Sequence, residues 1–122
     1  ATEHPLPTIL TRPFILRRLW LNDPDCLMVR ATETKLTPDE VRSLATAIAL
    51  TDGMFVLSDR LEALPAERLE WLERLTPLLG GAARVEDLFD RSLPEHLRTT
   101  RATLKLERRS RAALARLSKT RD

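Results

Sequence analysis

Residues 37–57, TPDEVRSLATAIALTDGMFVL, leave this chain little local freedom. Thr37 is placed to cap a helix, and Pro38 follows at the first helical position, where its missing N–H costs nothing. Glu40, three residues after the cap, completes a capping box. Val41, Leu44, Ala45 and Ile48 recur at i, i+3, i+4 and i+7, so the helix has one apolar face. Asp52-Gly53 stops it. Met54–Leu57 follows at once, a short run with aromatic and β-branched members that predicts a fully buried strand. Helix over 38–51 and strand over 54–57 make half of a βαβ unit.

A second helix, predicted over 65–79, uses the same grammar. Pro65 opens it, Glu67 lies in its first turn, and Leu69, Leu72 and Leu75 form its stripe. Glu70 and Arg74 are spaced to pair, and Gly80-Gly81 close the element after Pro77. Trp71 falls off the stripe, where it snorkels or covers a neighbour. Upstream, Pro5, Pro7 and Pro13 leave room for a short helix at best.

Between these segments lies LWLNDPDCLMVR, residues 19–30. Residues 17–22 read as a strand feeding Asn22-Asp23-Pro24-Asp25, a stretch that cannot continue one, because proline lacks the ladder donor and Asn and Asp favour turns. The order strand, acidic turn, helix, strand, Ser58-Asp59, helix predicts parallel pairing of 17–22 with 54–57. In parallel α/β folds, groups at the C-terminal ends of strands build the active site, so both acidic clusters are expected to converge on one rim. Such carboxylates suit glycoside hydrolysis, metal binding or recognition of sugar hydroxyls.

These residues resemble a known family. RLWLNDPDCLMVR, LTPDEVRSLATAIALTDGMFVLSDRLEALP and LLGGAARVEDLF are similar to the last two β/α units of the barrel in bacterial α-galactosidases of glycoside hydrolase family 36. The likeness runs from Ile9 to Asp90 and is densest at WLNDPDC and LSD. It implies an α/β fold in which residues 1–90 are the C-terminal segment of a (β/α)8 TIM barrel; residues 91–122 read by themselves as a basic tail, helical or disordered. It also implies a retaining mechanism with an aspartate nucleophile after the fourth strand and an aspartate acid/base after the sixth, both upstream of the matched stretch. Asp25 matches a position beside the bound galactose, and Cys26 matches its neighbour in that pocket. Trp20, Asn22, Asp23 and Asp59 match positions that brace the rim. The expected partners are an α-galactoside and the missing upstream barrel segment.

A self-sufficient pair made of Asp25 and Asp59 is disfavoured. Retaining carboxylates sit about 5 Å apart and inverting ones about 6.5–9.5 Å, but a barrel needs eight strands and only two are found. The chain alone is therefore expected to be inactive.

The tail departs from the family. Where a β-sandwich should begin after Asp90, the chain continues into RTTRATLKLERRSRAALARLSKTRD. A truncated or altered reading frame produces this, as does a genuinely different tail. Ala102, Leu104 and Leu106 alternate with polar residues, whereas Ala112, Ala113, Leu114 and Leu117 read as helical. From Arg98 onward nine Lys and Arg face Glu107 and Asp122, a balance of +7, which leaves −5 on residues 1–97. That asymmetry supports a rival reading, a small interaction protein whose basic tail binds nucleic acid. Against it, Tyr is absent and no Trp or Phe follows Phe89, so base stacking has little to work with.

Other classes lack support. A single cysteine excludes an internal disulfide, and with no apolar run near the ~20 residues of a membrane span and no secretion-type start, a cytoplasmic setting is expected. His4 and His96 are too far apart to suggest a metal site. Cys26 has no basic neighbour in sequence to activate it. Gly80-Gly81 ends a helix where a phosphate loop would begin one. No cofactor is implied.

Overall fold

The computed structural model describes residues 5–75, 82–99, 102–109 and 112–119. Among these, helices α1 (Pro5–Thr11), α2 (Pro38–Leu50) and α3 (Ala66–Leu75) precede a sheet of β1 (Arg84–Val85), β2 (His96–Arg98), β3 (Ala102–Arg109) and β4 (Ala112–Lys119). The sheet is antiparallel, in the order β1-β2-β3-β4.

Helix α2 forms as its sequence demands. The Glu40 carboxylate accepts from the Thr37 backbone N–H at 2.8 Å, and the Thr37 hydroxyl accepts from the Glu40 N–H at 3.3 Å. At the other end Asp52 takes the left-handed conformation, φ 51°, that terminates many helices. The helix is buried on more than the expected stripe: Ser43, Ala47, Ala49 and Leu50 join Val41, Leu44, Ala45 and Ile48, leaving Arg42 exposed and Thr46 half-buried. Three neighbours cause this, since α1, α3 and β4 all pack against α2. Leu6, Ile9 and Leu10 from α1, Leu72 from α3 and Leu97 from β2 complete the core around it.

Helix α3 starts after Pro65, whose carbonyl accepts from Arg68 and Leu69. Glu70 and Arg74 form the expected ion pair. Its expected continuation to residue 79 lies outside the described residues. Trp71 packs against the core with the Arg68 guanidinium 3.9 Å and that of Arg42 4.8 Å from its ring centroid. Arg68 itself is buried.

Three expectations need correction. Residues 17–22 are not a strand: Arg17 adopts φ 59° and donates to the Trp20 carbonyl at 2.8 Å, while Arg18 and Leu19 donate to Ile15 at 3.1 Å. Local turn bonds thus take the groups a ladder would need. The Met54–Leu57 run is not a regular strand either: it meets an upstream segment in parallel only at the isolated rung Leu27↔Leu57, and that partner comes after the acidic turn. Nor is the run fully buried, for Met54 and Val56 are exposed and Phe55 and Leu57 half-buried. Finally, 112–119 is a strand where helix was expected, because all eight residues pair with β3. Cross-strand pairing overrides the local helical preference of Ala, Leu and Arg.

Candidate functional site

The acidic turn is built by its own side chains. Asp23 Oδ1 accepts from the Asp25 N–H at 2.9 Å, and Asp25 Oδ1 accepts from the Cys26 N–H at 2.7 Å. Pro24 supplies the fixed φ of a turn's second position, and Asp25 follows at φ 78°, a region glycine normally occupies. A non-glycine residue held there stores roughly 1–3 kcal/mol of strain, less for Asp than for most, and such strain concentrates at functional sites.

The turn is seated on the start of the 54–57 run that follows α2. Met54 donates to the Asn22 carbonyl at 2.9 Å, and Leu27 and Val56 pair beyond it. The turn therefore bulges out of a parallel contact that resumes at Leu27↔Leu57. Gly53 makes the seat possible, since a Cβ there would lie 2.5 Å from the Asn22 carbonyl oxygen.

Trp20, Asn22, Asp23, Pro24 and Asp25 form one wall of a cleft of about 430 Å³, with Arg12, Ile9 and Thr51 among the residues completing it. The Trp20 indole is largely exposed. Asn22 Nδ2 donates to the Arg12 carbonyl at 2.8 Å, whereas its buried Oδ1 has no hydrogen-bond partner among the described residues. Unpaired buried acceptors are uncommon and costly. A second cleft, of about 310 Å³, takes Asp25 on one side with Cys26, Met28, Arg30 and Lys35. Asp25 thus stands between the two, and Cys26 is exposed beside it.

Asp59 is elsewhere. Its carboxylate accepts from the Val29 N–H and pairs with Arg30 Nε at 2.7 Å, with 1% of its side chain exposed. It ties the segment after the turn to the end of the 54–57 run, so Asp59 and the Asn22–Asp25 turn lie at opposite ends of that parallel contact. The expected convergence on one rim does not occur. The reason is the displaced pairing: the turn precedes the paired stretch instead of following it.

A second polar centre escaped the sequence reading. Asp87, buried after β1, accepts from the Glu95 N–H at 2.9 Å, the His96 N–H at 3.0 Å and the His96 ring Nδ1 at 3.2 Å. Burial pushes its carboxyl upward, but the Glu95 and His96 amides and the His96 ring outweigh this and hold it below the ordinary carboxylate range. A group depressed on folding adds stability above its unfolded pKa, near 3.9, and that contribution disappears as pH falls through the folded value. Asp87→Asn should therefore flatten the loss of melting temperature below about pH 4 relative to the parent. Parallel acid-side slopes in both proteins would refute the assignment.

Asp23 offers a further check. As the acceptor that closes the turn, it should cost about 0.5–2 kcal/mol when changed to Ala, on the scale of a lost side-chain cap. The measurement is chemical denaturation of both proteins, and an unchanged midpoint would remove Asp23 from the turn's support.

Among the described residues no group of three or more His, Cys, Asp or Glu is arranged to hold a metal ion, and no helix is long and apolar enough to cross a membrane. Compared with models of known protein families, the chain matches none.

Proposed function

We propose that this chain supplies part of the sugar-binding rim of an α-galactosidase-like glycosidase, as the seventh and eighth β/α units of its barrel, and does not supply the catalytic pair. The observation that carries the reading is Asp25 itself: strained at φ 78°, exposed, and shared between two clefts, one of them walled by an exposed indole. A flat aromatic ring beside carboxylates suits a hexose, whose C–H face packs on the ring while its hydroxyls donate to the acids.

Two further features support it. The parallel contact at Leu27↔Leu57, joined through α2, has the connectivity of a βαβ unit. The exposed Leu19, Trp20, Leu21, Met54 and Val56 offer an apolar face for the upstream barrel segment.

The test uses the chain as it is. Galactose added at millimolar concentration should shift the backbone amide resonances of Trp20, Asp23, Asp25 and Cys26, and Asp25→Asn should abolish the shifts. An aryl α-galactoside should not be hydrolysed. Absence of any shift would overturn the sugar reading, and turnover that vanishes in Asp25→Asn would make Asp25 catalytic.

A further inference from the structure

Away from the acidic turn, helices α2 and α3 meet around the second indole of the chain. Arg42, Ala45 and Thr46 of α2 and Trp71, Arg74 and Leu75 of α3 line a cleft of about 320 Å³. Both clefts beside Asp25 carry carboxylates in their walls, whereas this one carries none. The Arg74 guanidinium is neutralised by Glu70, one turn back on the same helix. Those of Arg42 and Arg68 have no acid within ion-pairing distance among the described residues. Arg68 is only 6% exposed, and its buried Nη1 has no hydrogen-bond partner among the described residues.

Two unpaired cations sharing one ring are costly to the free chain. Arginine cannot give up its proton in a protein, so burial of Arg68 cannot be relieved by neutralisation. An aromatic face offsets only part of the hydration that a buried guanidinium loses. Here the one ring serves both groups, whose guanidinium carbons stand 3.9 and 4.8 Å from its centroid. They therefore lie within a screening length of about 10 Å and repel each other. An anion in the cleft relieves both effects.

We propose that this cleft binds a small organic anion, a carboxylate or phosphate monoester joined to an apolar body. The planar fork of a guanidinium meets either group with paired hydrogen bonds, and Arg42, exposed on the cleft wall, is free to make them. Buried Arg68 adds its field. Ala45, Leu75 and the Trp71 indole take the apolar body. The volume stands at the small end of ligand pockets, about 300–1,000 Å³, which suits a body of one ring. The proposal is independent of the sugar reading, whose cleft holds Asp23 and Asp25 and would repel an anion.

The full chain, isotopically labelled, is titrated with benzoate, phenyl phosphate, inorganic phosphate and benzyl alcohol while the two indole N–H resonances are followed. Benzoate or phenyl phosphate at millimolar concentration should shift the Trp71 resonance and leave that of Trp20 in place. The tighter of the two identifies the charged group. Arg42→Gln should weaken binding at least about ten-fold, the scale of a lost charge-assisted hydrogen bond, and Arg42→Lys should retain part of it. Arg60→Gln, at an exposed ion pair elsewhere, should change nothing. Circular dichroism checks the folding of each variant, and the comparison of anion with alcohol is made on the unaltered chain. No shift with either organic anion, an equal shift with benzyl alcohol, equally tight binding of inorganic phosphate, or undiminished affinity in a folded Arg42→Gln would overturn the proposal.

Discussion

Gly53→Ala is expected to be the most damaging small substitution in the fold. Elsewhere such a change stabilises by about 0.4–1 kcal/mol, because alanine restricts the unfolded chain. Here the added Cβ would meet the Asn22 carbonyl oxygen at 2.5 Å and Pro24 Cδ at 3.4 Å. The closer atom is backbone, so relief requires the acidic turn to move away. That movement breaks the Met54-to-Asn22 hydrogen bond that seats it. Overpacking costs about 1–3 kcal/mol and a lost backbone bond about 1 more, which after alanine's gain in the unfolded chain leaves a net loss of roughly 1–3.5 kcal/mol. Thermal melting measures the sum, and hydrogen exchange at the Met54 amide localises it. An unchanged melting temperature with a protected Met54 amide would show that the turn rests on something else.

On the proposed sugar-binding reading, Asp25→Ala should have the largest effect on activity in the enzyme that this segment would complete. A site built to bond sugar hydroxyls loses roughly 1–3 kcal/mol per unpaired interaction, more where a charge is involved. A fall in kcat/KM of about ten- to several-hundred-fold follows. Asp25→Ala also removes the acceptor for the Cys26 N–H, so some of its effect is structural. Asp25→Asn separates the two: asparagine tolerates a positive φ and can still accept from that N–H, but carries no charge. Preserved melting with reduced kcat/KM in Asp25→Asn places the loss at the sugar. Full activity in Asp25→Asn, or equal losses in Asp25→Ala and Asp23→Ala with unchanged melting, would mean that the wrong aspartate has been assigned.

What the sequence disclosed was what short-range chemistry decides. The Thr37–Glu40 box, the Asp52 stop and the Glu70–Arg74 pair each depend on residues within a turn of one another, and all are present. The break at Asn22–Asp25 was equally legible, because Pro and Asp act on their immediate backbone. Misreadings began where distant partners decide. Residues 17–22 have strand-like composition, yet their amides turn back on Ile15 and Trp20. Residues 112–119 look helical until β3 lies beside them. The bonds of Asp59 to Val29 and Arg30, and the grip of Asp87 on Glu95 and His96, leave no local signature for the same reason. Gly53 looked like a simple helix stop, and its closeness to Asn22 emerges only when the two segments meet.

The two indoles of this chain report on different things. With no tyrosine present, ultraviolet emission comes almost wholly from Trp20 and Trp71. Trp20 is 60% exposed on the cleft wall, so its emission is already that of an indole in water and changes little when the chain unfolds. Trp71 is packed on the core under the guanidinium groups of Arg68 and Arg42, and loses both on unfolding. A red shift on denaturation therefore belongs to Trp71, and quenching by a solute that enters the cleft belongs to Trp20. The molecule carries one optical probe for its fold and another for its site, and replacing either with phenylalanine leaves the other to be read alone.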